Sequence, residues 1–330
     1  MSSGVDRRAP RRVGRREMLR GAVAAGAAVS VASRTDVSRA ADRAPRFIDV
    51  HNHPYWLGHN AEKMVANMDR YGIAKTWLLS WECPDHERSP SYHRSLNPEG
   101  RGILFSDVVR IVERYPDRFI PAWAPDPRHP STRDRLTAAV KIHGVRVYGE
   151  MKLRMTYDSP DALSIFRLCG ELGLPVLFHL DVTLPRGRPV RNWQYWYGGH
   201  IDAVERALKA CPDTTLIGHA PGFWREISGD AEQETESYPR GKPITPGGKI
   251  VKLLDRYPNF ACDISAGSGH TALTRDPAFT RKFCIDYADR ILHGRDGFDN
   301  KHMTLLRSLD LPDDVFEKIM FGNALRLVPL

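Results

Sequence analysis

The sequence predicts an α/β fold, a TIM-type (β/α)8 barrel that occupies residues 45–330 as a single domain. Short apolar runs alternate with amphipathic stretches from Phe47 onward, and eight such runs are the number that closes a parallel barrel. A histidine or an aspartate stands at the carboxyl end of several runs, where barrel enzymes carry their active-site residues. The length of 330 residues accommodates one such barrel.

The predicted elements follow one another in regular alternation. The predicted strands are 47–50, 76–81, 119–124, 145–148, 176–178, 215–217, 260–263 and 291–293. The predicted helices are 61–71, 104–115, 131–140, 162–172, 201–210, 249–257, 277–287 and 313–327. Pro116, Pro212 and Pro258 each close a helix shortly before an apolar run, as expected of the helix-to-strand turns at the bottom of a barrel.

Residues 1–40 differ from the rest of the chain and are predicted to be a twin-arginine signal peptide. Arg15 and Arg16 precede an apolar run, 21–33, which is rich in alanine and glycine and too short to span a bilayer. The prediction is export by the twin-arginine machinery to the periplasm or another extracytoplasmic site. The alternative is a disordered basic leader.

The positive charge is concentrated in this leader. The chain has a formal net charge of +8, and residues 1–40 contain nine arginines and three acidic residues. The leader therefore carries six of the eight net charges, and little excess charge remains for the predicted barrel. No nucleic-acid partner is predicted.

The first predicted strand ends in two histidines, His51 and His53. Residues i and i+2 of a strand point the same way, so both imidazoles are expected to face the barrel mouth. Two imidazoles on one side of a strand end make half of a typical metal site. The alternative is a pair of hydrogen-bonded histidines in the turn before Pro54.

Three further predicted strands deliver nitrogen or oxygen donors at the same end. His179 ends the fifth strand, His219 ends the sixth, and Asp296 follows the eighth. Four strands that direct such side chains to one face are hard to explain by packing alone. Together they predict a divalent metal centre of one or two ions at the barrel mouth.

This order of residues resembles the amidohydrolase superfamily, and within it the amidohydrolase-2 group, which includes enzymes similar to aminocarboxymuconate-semialdehyde decarboxylase. The resemblance extends from Phe47 to the end of the chain, and it includes segments 263–269 and 322–327, which are similar to the group's seventh-strand and terminal motifs. The metal ligands consistent with this resemblance are His51, His53, His179 and Asp296, and the catalytic residues are Asp296 and His219.

The fourth and eighth strands leave alternatives open. Glu150 and Lys152 stand near the tip of the fourth strand, where some superfamily members place a bridging carboxylate or a carboxylated lysine. Glu150 is predicted as a further metal ligand, and a salt bridge with Lys152 or a nearby arginine is the alternative. At the eighth strand, Arg295 departs from the group's usual serine or threonine. It is expected to turn outward into a salt bridge, because neighbours on a strand face opposite sides; binding of an anionic substrate is the alternative.

Two long connections after predicted strands five and six carry arginines and aromatic residues. Arg191, Trp193, Tyr195 and Trp224 are predicted to bind a small-molecule substrate. Arginine forms forked hydrogen bonds with carboxylates, and aromatic rings stack on cyclic ligands. The alternatives are aromatic packing on the barrel rim and contact between the subunits of a homo-oligomer.

The predicted function is metal-dependent hydrolysis of a small carboxylated, cyclic, amide, ester or lactone substrate by a metal-activated water. Asp296 is the expected general acid–base, and His219 orients the substrate or stabilises the oxyanion. Zinc suits the imidazole-rich set best, and manganese stays open because a carboxylate also contributes. The alternative is a non-oxidative, metal-dependent decarboxylase. A third hypothesis is a catalytically silent exported binding protein.

Overall fold

The computed structural model describes Met1 and residues 46–87, 103–181 and 196–330. The chain divides after Ala44, and the unit Pro45–Leu330 carries the fold. Apart from Met1, the predicted leader, 1–40, lies outside the described residues, so its export role stays a prediction. Among the described residues, no helix is both long and apolar enough to cross a membrane.

Eight parallel strands succeed one another around the barrel in chain order. They are β1 Phe47–Asn52, β2 Ile73–Leu79, β3 Phe119–Ala122, β4 Tyr148–Met151, β5 Val176–His179, β6 Leu216–His219, β7 Phe260–Asp263 and β8 Ile291–Leu292. β1 to β3 form one parallel sheet, and β4 to β8 form a second.

Backbone contacts between the edge strands of these two sheets, at two places, close the barrel. Between β3 and β4, Ala122 forms a parallel bridge with Val147, and Trp123 N donates to Val147 O at 3.1 Å. Between β8 and β1, Val50 N donates to His293 O at 3.0 Å. Closure leaves none of the eight described strands with a free edge. The predicted (β/α)8 barrel is confirmed.

Helices connect the strands and cover the outside of the barrel. They are α1 Ala61–Tyr71, α2 Phe105–Arg114, α3 Thr132–His143, α4 Pro160–Leu172, α5 Ile201–Ala210, α6 Pro221–Trp224, α7 Lys249–Arg256, α8 Ala266–Thr274, α9 Pro277–Asp286, α10 Lys301–Ser308, α11 Asp313–Glu317 and α12 Asn323–Leu327. The capping residues explain the bounds of α4. The Ser159 side chain accepts from Ala162 N at its start, and Gly173, at φ 68°, ends it.

Alternation along the strands separates an inner core from an outer core. In β5, Val176 and Phe178 belong to the cluster between strands and helices, whereas Leu177 belongs to the cluster inside the barrel. His179 is the next inward position, because side chains alternate between the two faces of a strand. The same register brings the last residue of β6 and of β7 into the barrel mouth.

The structure differs from the predicted elements around the fourth and seventh strands. β4 lies at Tyr148–Met151 rather than 145–148, because Glu150 continues the strand as a buried residue. The glycine-rich segment after β7 forms α8, which the sequence did not predict. Gly269 fits there because an added Cβ would lie 2.1 Å from Ile264 O, so the helix approaches its own strand end closely. α10 was not predicted either.

Candidate metal centre

His51 and His53 lie at the tip of β1 with their Nε2 atoms 3.3 Å apart. His51 donates from Nδ1 to Asp263 Oδ2 at 2.7 Å, and His53 donates from Nδ1 to Leu79 O at 2.9 Å. Both histidines are buried. Because each Nδ1 already has an acceptor, both Nε2 atoms face the centre, in the arrangement typical of metal-binding histidines.

The two neighbouring imidazoles have opposite electrostatic surroundings. Burial disfavours the charged form of both rings. At His51, the hydrogen bond and charge of Asp263 outweigh burial and raise the pKa to about 9. At His53, burial dominates and lowers the pKa to about 3. His53 is therefore a neutral nitrogen donor at physiological pH, whereas His51 must release a proton when a cation binds.

Asp296 brings a carboxylate to the same point from the segment after β8. Its backbone is left-handed, with φ 46°, and its N–H donates to His51 O at 2.8 Å. Its Oδ1 lies 3.8 Å from His53 Nε2, and no donor among the described residues reaches this buried oxygen. Burial raises the pKa of Asp296 to about 6. A carboxyl group of this kind can accept and return a proton near neutral pH.

Glu150 lies among the histidines from the tip of β4. Its Oε1 accepts from His179 Nδ1 at 2.7 Å, and its Oε2 lies 3.5 Å from His53 Nε2. Burial opposes the charged form of Glu150, but the charge and hydrogen bond of His179 outweigh burial and hold the pKa well below its usual range. Glu150 is therefore an ionised carboxylate at the centre.

His219 enters the centre from β6. Ser265 Oγ lies 2.9 Å from His219 Nδ1 and donates to Asp263 Oδ2 at 2.7 Å, so Ser265 accepts the Nδ1 proton. The Nε2 atom of His219 is left facing Glu150 Oε1 at 3.9 Å and Asp296 Oδ2 at 4.0 Å. Burial, followed by the charge of His51, lowers the pKa of His219 well below its usual value. His219 is thus a neutral donor within reach of the same centre.

Asp263 at the tip of β7 organises these histidines, and the sequence did not single it out. It is fully buried, and it accepts from His51 and from Ser265. Gly294 faces it closely, since a Cβ added there would lie 2.3 Å from Asp263 Oδ1. The signal that could have identified Asp263 is its position, because it ends an apolar strand as His179 and His219 do.

His179 is placed differently from the predicted ligand. Its Nδ1 donates a hydrogen bond to Glu150 Oε1, and its Nε2 lies 3.9 Å from Asp181 Oδ2. It belongs to neither of the ligand groups that the described residues form. The structure places His179 as the partner of Glu150, and its role as a metal ligand stays a prediction.

The predicted substrate-binding residues are not brought together by the described structure. Arg191, Trp193 and Tyr195 lie outside the described residues. Trp224 is 1% exposed and belongs to the outer core cluster, where its indole N–H donates to Asp263 O at 3.0 Å. Because its ring is enclosed by core side chains, Trp224 supports the Asp263 backbone rather than lining the mouth.

Arg295 turns away from the barrel interior into a salt bridge, as expected, because its partners Asp49 and Asn67 lie on the outer side of β1 and on α1. The residue is 2% exposed, and its Nε donates to Asp49 Oδ2 at 2.7 Å while Nη1 donates to Asn67 Oδ1 at 2.7 Å. Asp49 is fully buried too, and it also accepts from Arg295 N at 2.9 Å. The buried ion pair therefore ties the tip of β8 to β1 and holds Asp296 beside His51.

Two overlapping donor groups fit a divalent ion. One joins His51, His53 and Asp296, and the other joins His51, Glu150 and His219; within each group the ligand atoms lie within 4.8 Å of one another. The unpartnered Asp296 Oδ1 and the inward Nε2 atoms are the features that such an ion would satisfy. Nitrogen and carboxylate donors suit both zinc and manganese, so the donor set does not fix the metal.

Comparison with known proteins agrees with this geometry. Residues 48–330 match the amidohydrolase family model, while no curated protein sequence matches the chain. A 2,6-dihydroxybenzoate decarboxylase from Rhizobium is 18% identical, with a TM-score of 0.53 over 85% of this chain and 98% of that chain. A dihydroxybenzoic acid decarboxylase from a Polaromonas species, with bound manganese, is 17% identical, with a TM-score of 0.52 over 85% and 96%.

A protein assigned as a 2-pyrone-4,6-dicarboxylic acid hydrolase from Pseudomonas putida is 13% identical, with a TM-score of 0.55 over 86% of this chain and 97% of that chain. At such identities, the structural likeness bears on the fold. The match to the family model is a match of sequence, and it covers the whole barrel from the first strand to the last helix. It therefore shows membership of the family. The chain is therefore an enzyme that belongs to the amidohydrolase family.

Proposed function

We propose that the protein is a metal-dependent hydrolase of small carboxylated, cyclic substrates that contain an amide, ester or lactone bond. The observation that carries the proposal is the position of Asp296. Its Oδ1 is a buried oxygen with no donor among the described residues, 3.8 Å from His53 Nε2. Hydrolysis needs a base beside the ligand group, and Asp296 occupies that place.

The chain's own residues supply binding and proton transfer. A divalent ion held by His51, His53 and Asp296 would provide Lewis-acid polarisation of the substrate. Asp296 accepts a proton from the attacking water and returns it to the leaving group of the substrate. The pKa of Asp296, near 6, permits both steps at neutral pH. His219 faces the same space with an unprotonated Nε2, 4.0 Å from Asp296 Oδ2, and orients the substrate by accepting a hydrogen bond from it.

One ion is the simpler occupancy for this arrangement. The two donor groups share His51, whose only inward nitrogen is Nε2, so they cannot both be complete at the same time. Glu150 completes the set from the opposite side of the barrel, with His179 holding its Oε1. We propose zinc as the ion for the imidazole-rich set, with manganese as the alternative.

Non-oxidative decarboxylation is the second candidate function. It is favoured by Lys152, an ammonium beside the centre that is 8% exposed and suits a carboxylated substrate. Two of the structurally similar proteins are decarboxylases of dihydroxybenzoic acids, and one of them binds manganese. In this reaction Asp296, whose pKa is near 6, would deliver a proton to the carbon that loses carbon dioxide.

Two probe substrates distinguish the candidates. Metal-loaded protein is incubated in ¹⁸O-labelled water with 2-pyrone-4,6-dicarboxylate and, separately, with 2,6-dihydroxybenzoate. Hydrolysis predicts opening of the lactone with one labelled oxygen in the product and no release of carbon dioxide. Release of carbon dioxide from the benzoate, without lactone opening, would replace the hydrolase proposal by the decarboxylase. No turnover of either probe by fully loaded protein would count against both substrate classes.

We also propose that residues 1–40 direct export through the twin-arginine machinery. Support comes from the paired Arg15 and Arg16 ahead of the apolar run. Changing both to lysine keeps the charge and removes the feature that the export receptor reads. Cell fractionation should then find the full-length chain inside the cytoplasm. Unchanged delivery of the double variant would show that the leader works by another route.

A further inference from the structure

Lys152 brings a cation to the mouth of the barrel directly after β4. Met151 and Leu153 belong to the core cluster outside the barrel, so the residues that alternate with them, Glu150 and Lys152, point inward. Glu150 reaches the histidines of the metal centre. Lys152 therefore lies one step nearer the mouth on the same inner face, and it is 8% exposed.

Aromatic rings fix the position of this ammonium. Lys152 Nζ lies 3.8 Å from the ring centroid of Trp81 and 5.3 Å from that of Tyr197. Tyr197 is anchored by its hydroxyl, which donates to Glu87 O at 2.7 Å, and its ring lies edge-on to His179 at 5.7 Å between centroids. A cation over a tryptophan face is held electrostatically without neutralising its charge. The ammonium is thus both oriented and available.

No carboxylate of the described residues lies within ion-pair distance of Lys152. Glu150 accepts from His179, and Asp263 accepts from His51 and Ser265. Asp296, whose Oδ1 has no donor in the described part of the chain, faces the inward nitrogens of His53 and His219 at 3.8 and 4.0 Å. Buried charges in proteins are normally paired, because removing a charge from water is costly. Among the residues that the structure describes, this buried ammonium contacts aromatic rings and forms no ion pair, so it is matched to a charge that arrives with a ligand.

We propose that Lys152 forms an anion-binding subsite that receives a carboxylate of the substrate while the reacting bond lies over the donors of the metal centre. The inference rests on the proposed function, because it uses the same centre to locate the substrate. It assigns the recognition of the substrate charge to Lys152, and it assigns Trp81 and Tyr197 the positioning of that lysine. The rival explanation is that Lys152 only balances the charge of Glu150 and Asp296.

Binding of a charged and a neutral probe separates these explanations. Manganese-loaded protein is titrated with 2,6-dihydroxybenzoate and with 2,6-dihydroxybenzamide, which keeps the ring and hydroxyls without the negative charge. Lys152→Met removes the ammonium and retains the apolar stem. We expect it to weaken binding of the benzoate by about 10- to 100-fold and binding of the benzamide by less than about 3-fold. Lys152→Arg should keep part of the preference for the benzoate.

The control is Lys141→Met, which makes the same change on an exposed position of α3 and should leave both affinities unaltered. Metal content is measured in every variant. Equal losses for both probes, no loss for either, or a wild type that binds neither probe at millimolar concentration would overturn the subsite. A change only in manganese affinity would do the same and support the charge-balancing explanation. Because the readout is binding and not opening of a lactone, the subsite can stand while the hydrolase proposal fails, and the reverse.

Discussion

The inside of the barrel has two layers of opposite character, built on the same strands. Three strands each place an apolar residue in the lower layer and a titratable residue two positions later at the mouth: Leu177 and His179, Ile217 and His219, Ala261 and Asp263. In these three strands the lower layer is apolar. The upper layer holds imidazoles and carboxylates that hydrogen-bond mainly to one another. The alternation of side chains along each of these strands thus places core residues deep in the barrel and reactive residues one inward position nearer the mouth.

This comparison implies that the two layers fail differently. The lower layer contributes by filling space, so its substitutions should reduce the free energy of unfolding and leave the metal centre intact in the molecules that remain folded. The upper layer already contains buried charges whose partners are specific side chains. Its substitutions should change metal affinity or turnover more than they change folding.

The largest effect is expected when both ligands of β1 are removed. His51→Ala with His53→Ala deletes two inward nitrogens, which leaves Asp296 without imidazole partners in its donor group. Divalent metal content and activity should both fall to background, as measured by elemental analysis and turnover. The matched control is His129→Ala with His143→Ala, since both of these histidines are exposed. Full metal occupancy in the first double variant would remove β1 from the centre.

The second-largest effect is expected at Asp296, where a substitution should reduce turnover while the metal stays bound. Asp296→Asn keeps an oxygen donor, and asparagine accepts the left-handed φ of 46°. The amide cannot take up a proton, so kcat at metal saturation should fall by about 10²- to 10⁴-fold. Asp310→Asn makes the same change at an exposed left-handed residue, φ 49°, and should be silent. Parallel loss of metal and activity would make Asp296 only a ligand.

A smaller effect is expected at Asp263, which touches the histidines and faces no substrate. Asp263→Asn keeps the size of the side chain but removes the negative charge that His51 Nδ1 contacts at 2.7 Å. The basicity of His51 should fall, and metal affinity should weaken by about 10- to 100-fold, with kcat at saturation much less affected. Metal titration of this variant and of exposed Asp213→Asn tests the prediction. Unchanged metal affinity would contradict the role of Asp263.

The lower layer should show the opposite behaviour. Leu177 is fully buried inside the barrel, and Leu177→Ala should reduce the free energy of unfolding by about 2–5 kcal/mol through lost burial and the cavity left behind. Metal bound per folded molecule should not change. Denaturant unfolding and metal analysis compare it with Ile142→Ala, whose side chain is 72% exposed. A metal defect in Leu177→Ala would show that the two layers are not separable.

The sequence predicted the barrel and the strand-end histidines because both follow from the succession of apolar runs along the chain. His51, His53, His219 and Asp296 each end or follow such a run, at the end of the strands where barrel enzymes carry their active sites, although a register irregularity in β1 is what turns His51 inward after Val50. Glu150 was recognised as a candidate in the same way, although its strand was placed three residues too early.

Contacts between strands could not be read from local pattern. Barrel closure sets the relative stagger of β4, β5 and β7. This stagger decides whether His179 faces an ion or Glu150, and it decides which histidine Asp263 contacts. Asp263 ends its predicted strand as His219 does, but its role comes from contacts with His51 and Ser265 that the sequence pattern does not show. Trp224 was assigned to the substrate from its loop position, while tertiary packing encloses its ring in the core.

The position of the ion is the most direct test of the metal centre. Crystals of the mature protein, stripped with chelator and then loaded with zinc or manganese, would be measured at the absorption edge of that metal. The anomalous map should show an ion in contact with Nε2 of His51 and of His53 and with a carboxylate oxygen of Asp296 or Glu150. An ion that binds only elsewhere, or no ion in crystals that were fully loaded, would contradict a metal centre at the mouth of this barrel.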